Sequence, residues 1–423
     1  MKHNFRAKKV ISIGLLFIFT LLNGCKFDTV PEPIETNQTN SSNLTNFIHP
    51  GIVNTQASLN SITQLNDPST ARTSSYNNQV AAFNNQFVYS DVQAYLNALP
   101  TNATVMVRAT GSVPLSVDPQ QREGTMRQHS VLAYSYALAY VRTGQSYFAD
   151  RAKFIINRWA SKFGEFDYYK VHEDGKPDTQ DEQMALQAAW VAPNFAAAAE
   201  IIRYYKIGGT QAPVGFSSTE LTNLAAFFNT LNGYLNTYIL VTGPLNVSGK
   251  FQNKYKSNWG TSAAYAQMAM GVYLESSTIY QSGYDYIKDL MPYVIANDGA
   301  MPEFCTTDCW HPQYTLTGLA YAAEIARIHS DNSIFEFNSR LMNKGFNYAA
   351  DRYDGDADTC HECSTDTSDN GKHKEVYPGV ELGYRYYNLS KIGTLRTEYV
   401  THFGKADYNF FGFTTFTHYG VAL

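Results

Sequence analysis

Amphipathic helical segments joined by short turns fill the chain from residue 126 to residue 392, and this pattern constrains the fold more than any other feature. Within each segment apolar residues recur at steps of three and four, which is the spacing of one helix face. Turns such as Thr143-Gly144 and Gly208-Gly209 end the segments, and Pro193 is expected to kink one of them. The predicted helices cover residues 126–142, 147–163, 181–206, 218–238, 258–280, 283–296, 313–329, 333–350 and 380–392.

Helix pairs repeated over this length predict an all-α fold, namely an α/α toroid or incomplete barrel of about 5–7 helical hairpins with little β structure. Each hairpin buries its inner face against its neighbours, and closure of the ring removes exposed ends. A tetratricopeptide-type solenoid is the alternative, but the segments share neither a fixed length nor a signature. Strand signals are limited to Val105-Met106-Val107 and to residues 408–419, which are rich in Phe and Thr.

The N-terminus indicates export and lipidation. A basic start containing Lys8 and Lys9 precedes an apolar stretch that is too short to span a bilayer. Leu22-Asn23-Gly24-Cys25 then matches a bacterial lipobox, so residues 1–25 are predicted to be a lipoprotein signal peptide, with Cys25 carrying the lipid. The alternative is a plain signal peptide with an incidental cysteine. Because Lys26 rather than aspartate follows Cys25, we expect a protein of the periplasm or cell surface, anchored to the outer membrane.

Composition divides the remaining chain and limits its partners. Residues 26–47 are rich in Pro, Glu, Asn, Thr and Ser and are expected to form a disordered tether. No second linker interrupts residues 48–423, which are expected to form one large domain. The net charge of −5 without a basic block argues against nucleic acid, but a cleft can still be locally basic and bind an anionic glycan.

Four cysteines beyond the signal peptide fit an oxidising compartment. Cys305, Cys309, Cys360 and Cys363 predict two disulfides with three possible pairings. A zinc site is the rival interpretation, because the spacing resembles that of four thiolate ligands. The disulfide interpretation is preferred, and no metal and no cofactor are expected.

The segment MPEFCTTDCWHPQY, residues 301–314, concentrates the chemistry. Removal of the C5 proton of a uronate needs a donor that neutralises the carboxylate, a base for the proton and an acid for the leaving oxygen. His311, Gln313 and Tyr314 could supply these groups, and Trp310 could bind a sugar face. In the alternative, His311 and Pro312 only start the next helix and Tyr314 packs in the core.

Three further places carry candidate binding residues. Asn258-Trp259 starts a long helix, where Asn258 could direct its amide at a carboxylate or only cap the helix, and Trp259 could bind a sugar or pack in the core. Residues 377–387 carry four tyrosines and an arginine, and Tyr384 and Arg385 are the substrate-binding candidates among them. Arg127 and His129, at another helix start, are weaker candidates.

Several of these segments, in this order, resemble motifs of the alginate lyase family of α/α-toroid polysaccharide lyases. The resemblance covers nearly the whole chain after the tether. The segments are Phe47-Ile48-His49-Pro50-Gly51-Ile52, residues 133–159, residues 197–203 (AAAEIIR), Ser257-Asn258-Trp259, residues 308–313 (DCWHPQ), Glu381-Leu382-Gly383-Tyr384 and Gly412-Phe413-Thr414-Thr415.

The resemblance implies β-elimination of a 1,4-linked uronan such as alginate, with 4,5-unsaturated products. It implies that His311 and a tyrosine exchange protons, and that Asn258 or Gln313 neutralises the carboxylate. This sequence departs from the family at three positions, because Thr307 stands where many relatives have arginine, Tyr386 where histidine is common, and Trp259 where the better-known members have histidine. A glycoside hydrolase using carboxylates such as Glu303 and Asp308, and a non-catalytic glycan-binding lipoprotein, remain alternatives.

Overall fold

Helices make up nearly all regular structure in the part of the chain that the computed structural model describes. That part comprises residues 44, 46–63, 70–107, 123–168, 182–240, 257–306, 309–353, 376–400, 410 and 412–423. The signal peptide and most of the expected tether therefore lie outside the described residues, and residues 43–423 form one compact unit. None of the described helices has the length and apolarity needed to cross a bilayer.

Short helices come first, and long helical hairpins follow. The N-terminal helices are α1 (Gln56–Thr63), α2 (Ala71–Ser75), α3 (Ala82–Asn85) and α4 (Tyr89–Ala98), with a π-helical segment, Tyr76–Ala81, between α2 and α3. The hairpins are α5 (Glu123–Thr143) with α6 (Ser146–Lys162), α7 (Glu182–Tyr204) with α8 (Ser218–Leu235), and α9 (Asn258–Tyr273) with α10 (Ser277–Val294). After the short helix α11 (Glu303–Thr306) come α12 (His311–Ile328) with α13 (Ser333–Tyr353), α14 (Gly379–Tyr387) with α15 (Ser390–Glu398), and finally α16 (Thr414–His418).

The first helices of the hairpins form an inner layer and the second helices an outer layer. Along the inner layer α5 packs on α7, α7 on α9, α9 on α12 and α12 on α14. The burial of the two layers differs accordingly. In α9 every residue except Trp259 is buried, whereas α10 buries one face and exposes the other. An inner helix is covered on all sides, so its pattern is nearly uniform, while an outer helix keeps the amphipathic pattern of a surface helix.

Glycines allow the hairpins to pack closely. A Cβ on Gly283 of α10 would collide with the carbonyl oxygen of Ala264 in α9. A Cβ on Gly379, at the start of α14, would lie 2.5 Å from Cα of Thr317 in α12. The absence of a side chain at these two positions therefore sets how closely the helices approach.

The ends of the described chain meet and join the layers. Arg72 in α2 donates from Nε to the carbonyl of Phe416 at 2.8 Å. His418 in α16 bonds through Nε2 to the carbonyl of Val53 at 2.9 Å. Helix α16 also packs on α14, and α1 packs on α5, so the N-terminal helices and α16 connect the last inner helix with the first. The fold is the predicted all-α toroid, with five hairpins among the described residues.

The sheet is small, and one strand was missed in the sequence. The candidate strand at Val105 is part of β1 (Ala103–Val107), which pairs in parallel with β2 (Phe163–Tyr168). The strand β2 follows α6 directly, and only its first residue, Phe163, fell within the predicted helix of residues 147–163. The predicted C-terminal strand is wrong where the structure describes it, because Thr414–His418 is helical.

Two helix boundaries also differ from the prediction. The helix predicted to run to residue 280 ends at Tyr273, because Glu275 adopts a positive φ of 52° and Ser276 caps the next helix through Ile279 N. The helix predicted over residues 380–392 is two helices, because Asn388 adopts a left-handed conformation with φ of 51°. Pro193 lies inside α7 as predicted.

Candidate functional site

The starts of three inner helices lie together at one rim of the toroid. Each hairpin reverses the chain direction, so successive inner helices run the same way and present their N-termini at the same end. The contacts between Glu303, Asn258 and Thr315 described below join the starts of α9 and α12. A contact between Tyr314 and Tyr377 joins the starts of α12 and α14. Helix N-termini carry positive potential, which favours an anionic ligand at this rim.

Glu303 is the hub between α9 and α12. Its Oε1 accepts hydrogen bonds from Asn258 Nδ2 at 2.6 Å and from Asn258 N at 3.3 Å, and its Oε2 accepts one from Thr315 Oγ1 at 2.6 Å. Burial raises the pKa of the Glu303 carboxyl, while the bonds from Thr315 and Asn258 and the nearby His311 lower it in part. Because a carboxylate oxygen accepts hydrogen bonds, the Asn258 atom that faces Glu303 is the amide nitrogen. The second N–H of this amide can donate to another group.

Tyr314 is held in an aromatic cage. Its ring lies against Tyr377 with centroids 4.4 Å apart, Phe410 at 5.1 Å, His311 at 5.7 Å and Trp310 at 6.1 Å. The Tyr314 side chain is buried, and its hydroxyl oxygen accepts a hydrogen bond from the Tyr377 hydroxyl at 3.0 Å. These contacts leave the phenol little freedom to move.

His311 and the two tryptophans are placed around this cage. His311 is the first residue of α12, is partly exposed, and meets the Trp310 ring edge to face with centroids 5.2 Å apart. Trp310 and Trp259 are partly buried against the core. The Gln313 amide is turned back on its own helix start, because Nε2 donates to the carbonyl of Cys309 at 3.2 Å. The structure therefore brings Asn258, His311, Gln313 and Tyr314 to one rim.

Arg127 lies near the start of α5, another inner helix. Its guanidinium carbon lies 5.1 Å from the centroid of the Trp190 ring in α7. A cation held over an aromatic face at the inner layer is a suitable contact for the carboxylate or hydroxyls of a bound sugar. Arg127 stays a substrate-binding prediction.

The structure corrects three of the predicted substrate-binding residues. His129 is buried, accepts a hydrogen bond from Trp159 Nε1 at 3.2 Å, and packs edge to face on Tyr95, so it belongs to the core between α4, α5 and α6. Burial lowers its pKa to about 4. The Tyr384 ring lies under the guanidinium of Arg396 in α15, at 4.5 Å, and so faces the outer layer.

Arg385 is the third. It donates to Glu324 Oε1 at 2.8 Å and to the carbonyls of Val421 and Ala422. Glu324 lies 13 residues after His311 in α12, which is about 20 Å along the helix. Arg385 is therefore a structural ion-pair residue near the opposite rim.

The cysteine interpretations fall largely outside the described residues. Cys309 is buried in the helix start beside the site. The side chain of Cys305 and all of Cys25, Cys360 and Cys363 lie outside the described part, as do Thr307 and Asp308. Among the described residues no group of three or more His, Cys, Asp or Glu side chains could hold a metal ion.

Two residues of the site were not identified as such from the sequence. Glu303 was considered only as a hydrolase carboxylate, and Tyr377 only as one member of a tyrosine-rich segment. For Tyr377 the sequence does carry a signal, the helix-start dipeptide Pro378-Gly379 that follows it. This dipeptide predicts a helix whose N-terminus packs closely on its neighbour.

The arrangement has the parts that a β-elimination needs. The Asn258 amide can donate to a carboxylate, and the Tyr314 phenol and the His311 imidazole are both proton-transfer groups. Their ring centroids lie 5.7 Å apart, so both can face one sugar residue.

Comparisons with known proteins agree with this site and fold. A family profile described as "Alginate lyase" matches residues 70–359, more than half of the chain. No curated protein matches the sequence. An alginate lyase from Bacteroides ovatus is similar in structure with a TM-score of 0.55 and 12% identity, covering 86% of this chain and 98% of that one.

Two structures of another alginate lyase, A1-III, are also similar. The structure of A1-III from Sphingomonas species A1 has a TM-score of 0.50 and 14% identity, covering 78% of this chain and 95% of that one. A histidine-to-alanine variant of A1-III complexed with a tetrasaccharide has a TM-score of 0.50 and 13% identity, covering 76% of this chain and 85% of that one. At these identities the likeness establishes the fold.

Proposed function

The chain belongs to the alginate lyase family and is a polysaccharide lyase, and from this premise we propose that it cleaves alginate, or a closely related 1,4-linked uronan, at the rim formed by α9, α12 and α14. The product is a chain with a 4,5-unsaturated uronate at its new non-reducing end. The observation that carries the proposal is the convergence of Asn258, His311 and Tyr314 at this rim. The tetrasaccharide complex of the A1-III variant supports a saccharide as the ligand.

The reaction needs two proton transfers, and the site has two suitable groups. The C5 proton moves to one of the pair His311 and Tyr314, the C4–O bond breaks as the C4=C5 double bond forms, and the other member protonates the leaving oxygen. The two groups end with exchanged protonation states, so one proton passed back between them restores the site. Asn258 stabilises the carboxylate while C5 becomes acidic.

Other residues of the rim bind the chain. Trp259 and Trp310 offer aromatic faces for sugar rings, because the apolar face of a sugar packs on an aromatic ring. Arg127, whose guanidinium lies over the Trp190 ring, would bind a uronate carboxylate of a neighbouring sugar. Gln313 adds its amide oxygen and supports the start of α12 through its bond to Cys309.

The hydrolase alternative finds less support in this geometry. A hydrolase needs two carboxyl groups facing each other across the substrate. Both oxygens of Glu303 already accept hydrogen bonds, and the side chain is buried between α9 and α12. Glu303 is therefore better suited to hold Asn258 than to protonate a glycosidic oxygen.

Ultraviolet absorbance of the unsaturated product tests the function directly. The domain of residues 48–423 is incubated with alginate, polyglucuronate and glycosaminoglycans, and absorbance and new reducing ends are followed together. We expect both to rise with alginate, and we expect Tyr314→Phe and His311→Ala each to lower kcat by about 100-fold or more. New reducing ends without absorbance would indicate a hydrolase, and binding without either would indicate a glycan-binding protein. If both variants stay within about threefold of wild type, the chemistry lies elsewhere.

We also propose that the protein is exported, lipidated on Cys25 and anchored to the outer membrane, with Cys305, Cys309, Cys360 and Cys363 in two disulfides. The lipobox and the following Lys26 support the anchor. Four cysteines beyond the signal peptide support an oxidising compartment. An anchored lyase would act on polysaccharide at or beneath the cell surface.

A further inference from the structure

Tyr377 touches the reacting phenol from a third helix start. It lies two residues before the start of α14, whereas Tyr314 lies in the first turn of α12. The Tyr377 hydroxyl donates to the Tyr314 hydroxyl oxygen at 3.0 Å, and both side chains are only 6% exposed. The hydrogen bond stabilises this buried pair, because an unsatisfied buried hydroxyl is costly.

The backbone around Tyr377 fixes this distance. Gly379 brings the start of α14 against Thr317, one turn beyond Tyr314 in α12. The carbonyl of Pro378 accepts a hydrogen bond from Thr414 Oγ1 at 3.0 Å, and this hydroxyl also meets the Tyr399 hydroxyl at 3.2 Å. The segment that carries Tyr377 is thus held both by α12 and by α16.

We propose that Tyr377 is a positioning residue of the lyase reaction, whose hydroxyl orients the Tyr314 proton toward the substrate and stabilises the Tyr314 phenolate during the catalytic cycle. This inference rests on the proposed function. It adds a residue that neither the family match nor the sequence-based site contained.

Orientation follows from the direction of the hydrogen bond. When the Tyr314 oxygen accepts from Tyr377, its own proton must point away from Tyr377. The phenol is then prepared to donate that proton, and after donation the phenolate keeps one hydrogen bond in a buried site where an unsolvated anion would be costly.

The same bond matters whether Tyr314 is the acid or the base. A hydrogen bond donated to a phenol oxygen favours the phenolate. If Tyr314 is the base, activity rises with pH as phenolate forms, and if it is the acid, activity falls as phenolate forms. In both cases loss of the Tyr377 hydroxyl moves the limb of the pH profile that depends on Tyr314 to higher pH.

The test is Tyr377→Phe, which removes one hydroxyl and keeps the ring. We expect kcat/KM on alginate to fall about tenfold, mainly through kcat. A tenfold fall is close to the free energy that a hydrogen bond to a charged group contributes. The limb of the pH profile that depends on Tyr314 should move to higher pH by about one unit. In the Tyr314→Phe background the same substitution should change the residual rate by less than about twofold, because the bond is already lost.

Tyr386→Phe is the matched control, because it removes a phenol hydroxyl that donates to Glu336 from the partly exposed end of α14. It should leave the rate and the pH profile unchanged. An unmoved pH limb in Tyr377→Phe, with a rate within about twofold of wild type while Tyr314→Phe is inactive, would overturn the proposal and leave the lyase function standing. Absence of wild-type activity on every uronan would instead overturn the proposed function. If circular dichroism shows that Tyr377→Phe does not fold, the same measurements on Tyr377→Met decide.

Discussion

Burial sets the charge of several titratable side chains in this protein, and it acts in opposite directions on acids and bases. It lowers the pKa of His129 to about 4 and that of His418 to about 3. It raises the pKa of Glu381 to about 7, although Arg396 donates to this carboxylate at 3.0 Å. Each of these groups favours its neutral form, because a buried charge loses the solvation of water.

His129 provides a test of this effect. Its pKa in the folded state lies below the usual value of 6.5, so the stability linked to its neutral form is present above pH 6.5. That stability is lost as pH falls from 6.5 toward 4, because the unfolded chain takes up the proton first. We expect wild type to lose up to about 3 kcal/mol relative to His129→Gln between pH 7 and pH 4.

Urea unfolding at a series of pH values measures this difference. Gln can still accept the hydrogen bond from Trp159, so the two proteins should have similar stability at pH 8. A parallel loss of stability in both proteins on acidification would show that His129 is not the group responsible.

The contrast between His129 and His311 shows what a sequence can reveal about a site. Both histidines lie near the start of an inner helix, and the adjacent residues do not specify which way either side chain points. His129 faces Trp159 and Tyr95 in neighbouring helices, whereas His311 is the first residue of α12 and stays partly exposed. Which way each side chain points depends on which helix packs beside it, and that information is not local. Motif resemblance marks His311 and Asn258, whose roles stay predictions, and it also marked Tyr384, which faces the outer layer.

Close packing between helices leads to a prediction about protein stability. Gly283→Ala should destabilise the protein by about 1–3 kcal/mol, because the new methyl group meets the carbonyl oxygen of Ala264 in the partner helix. The control is Gly233→Ala on the exposed side of α8, where a Cβ would meet nothing within 4 Å. This change should stabilise by up to about 1 kcal/mol, because alanine favours the helix.

Thermal unfolding of the two variants checks the sign of each effect. Opposite shifts of Tm are expected. A Gly283→Ala protein as stable as wild type would mean that α9 and α10 can separate without cost.

The same glycine explains an error in the predicted helix boundaries. The turn was predicted at residues 281–282, just before Gly283. This glycine instead lies inside α10 and allows α10 to pack close to α9. The real turn uses Glu275 in a left-handed conformation followed by the capping Ser276, and neither glycine nor proline marks it.

The strand predicted at the C-terminus was wrong for a related reason. Its Thr and Phe residues favour strands, yet Thr414–His418 is buried as a helix between α14 and the N-terminal helices, so tertiary packing outweighs local preference.

At the scale of the whole molecule, the toroid was predictable because the amphipathic pattern survives in the outer helices α6, α10 and α13, where the buried residues lie on one face. The small sheet was only half predictable, because β2 continues from α6 without a break in sequence. The predicted export signal, residues 1–25, is independent of the fold and precedes the domain.

Fractionation of cells tests the predicted anchor. The wild-type protein should sediment with membranes and be released by detergent, whereas Cys25→Ala should not be lipidated and should lose this behaviour. Lys26→Asp keeps the lipid and serves as the companion variant, because aspartate after the cysteine should retain the protein at the inner membrane. Equal release of wild type and Cys25→Ala without detergent would contradict lipidation.

The meeting of the two chain ends has a consequence for how the protein is made. Arg72 bonds to Phe416, and Val53 bonds to His418, so these contacts span more than 340 residues of sequence. Contacts this distant form late, because a long loop must be ordered before they can stabilise anything. While the last residues are still being synthesised or threaded across a membrane, Arg72 has not met its partners and the ring is open. If the protein is exported as proposed, a chain that cannot finish folding until its final helix arrives would stay extended enough for secretion and would close its ring only after crossing the membrane.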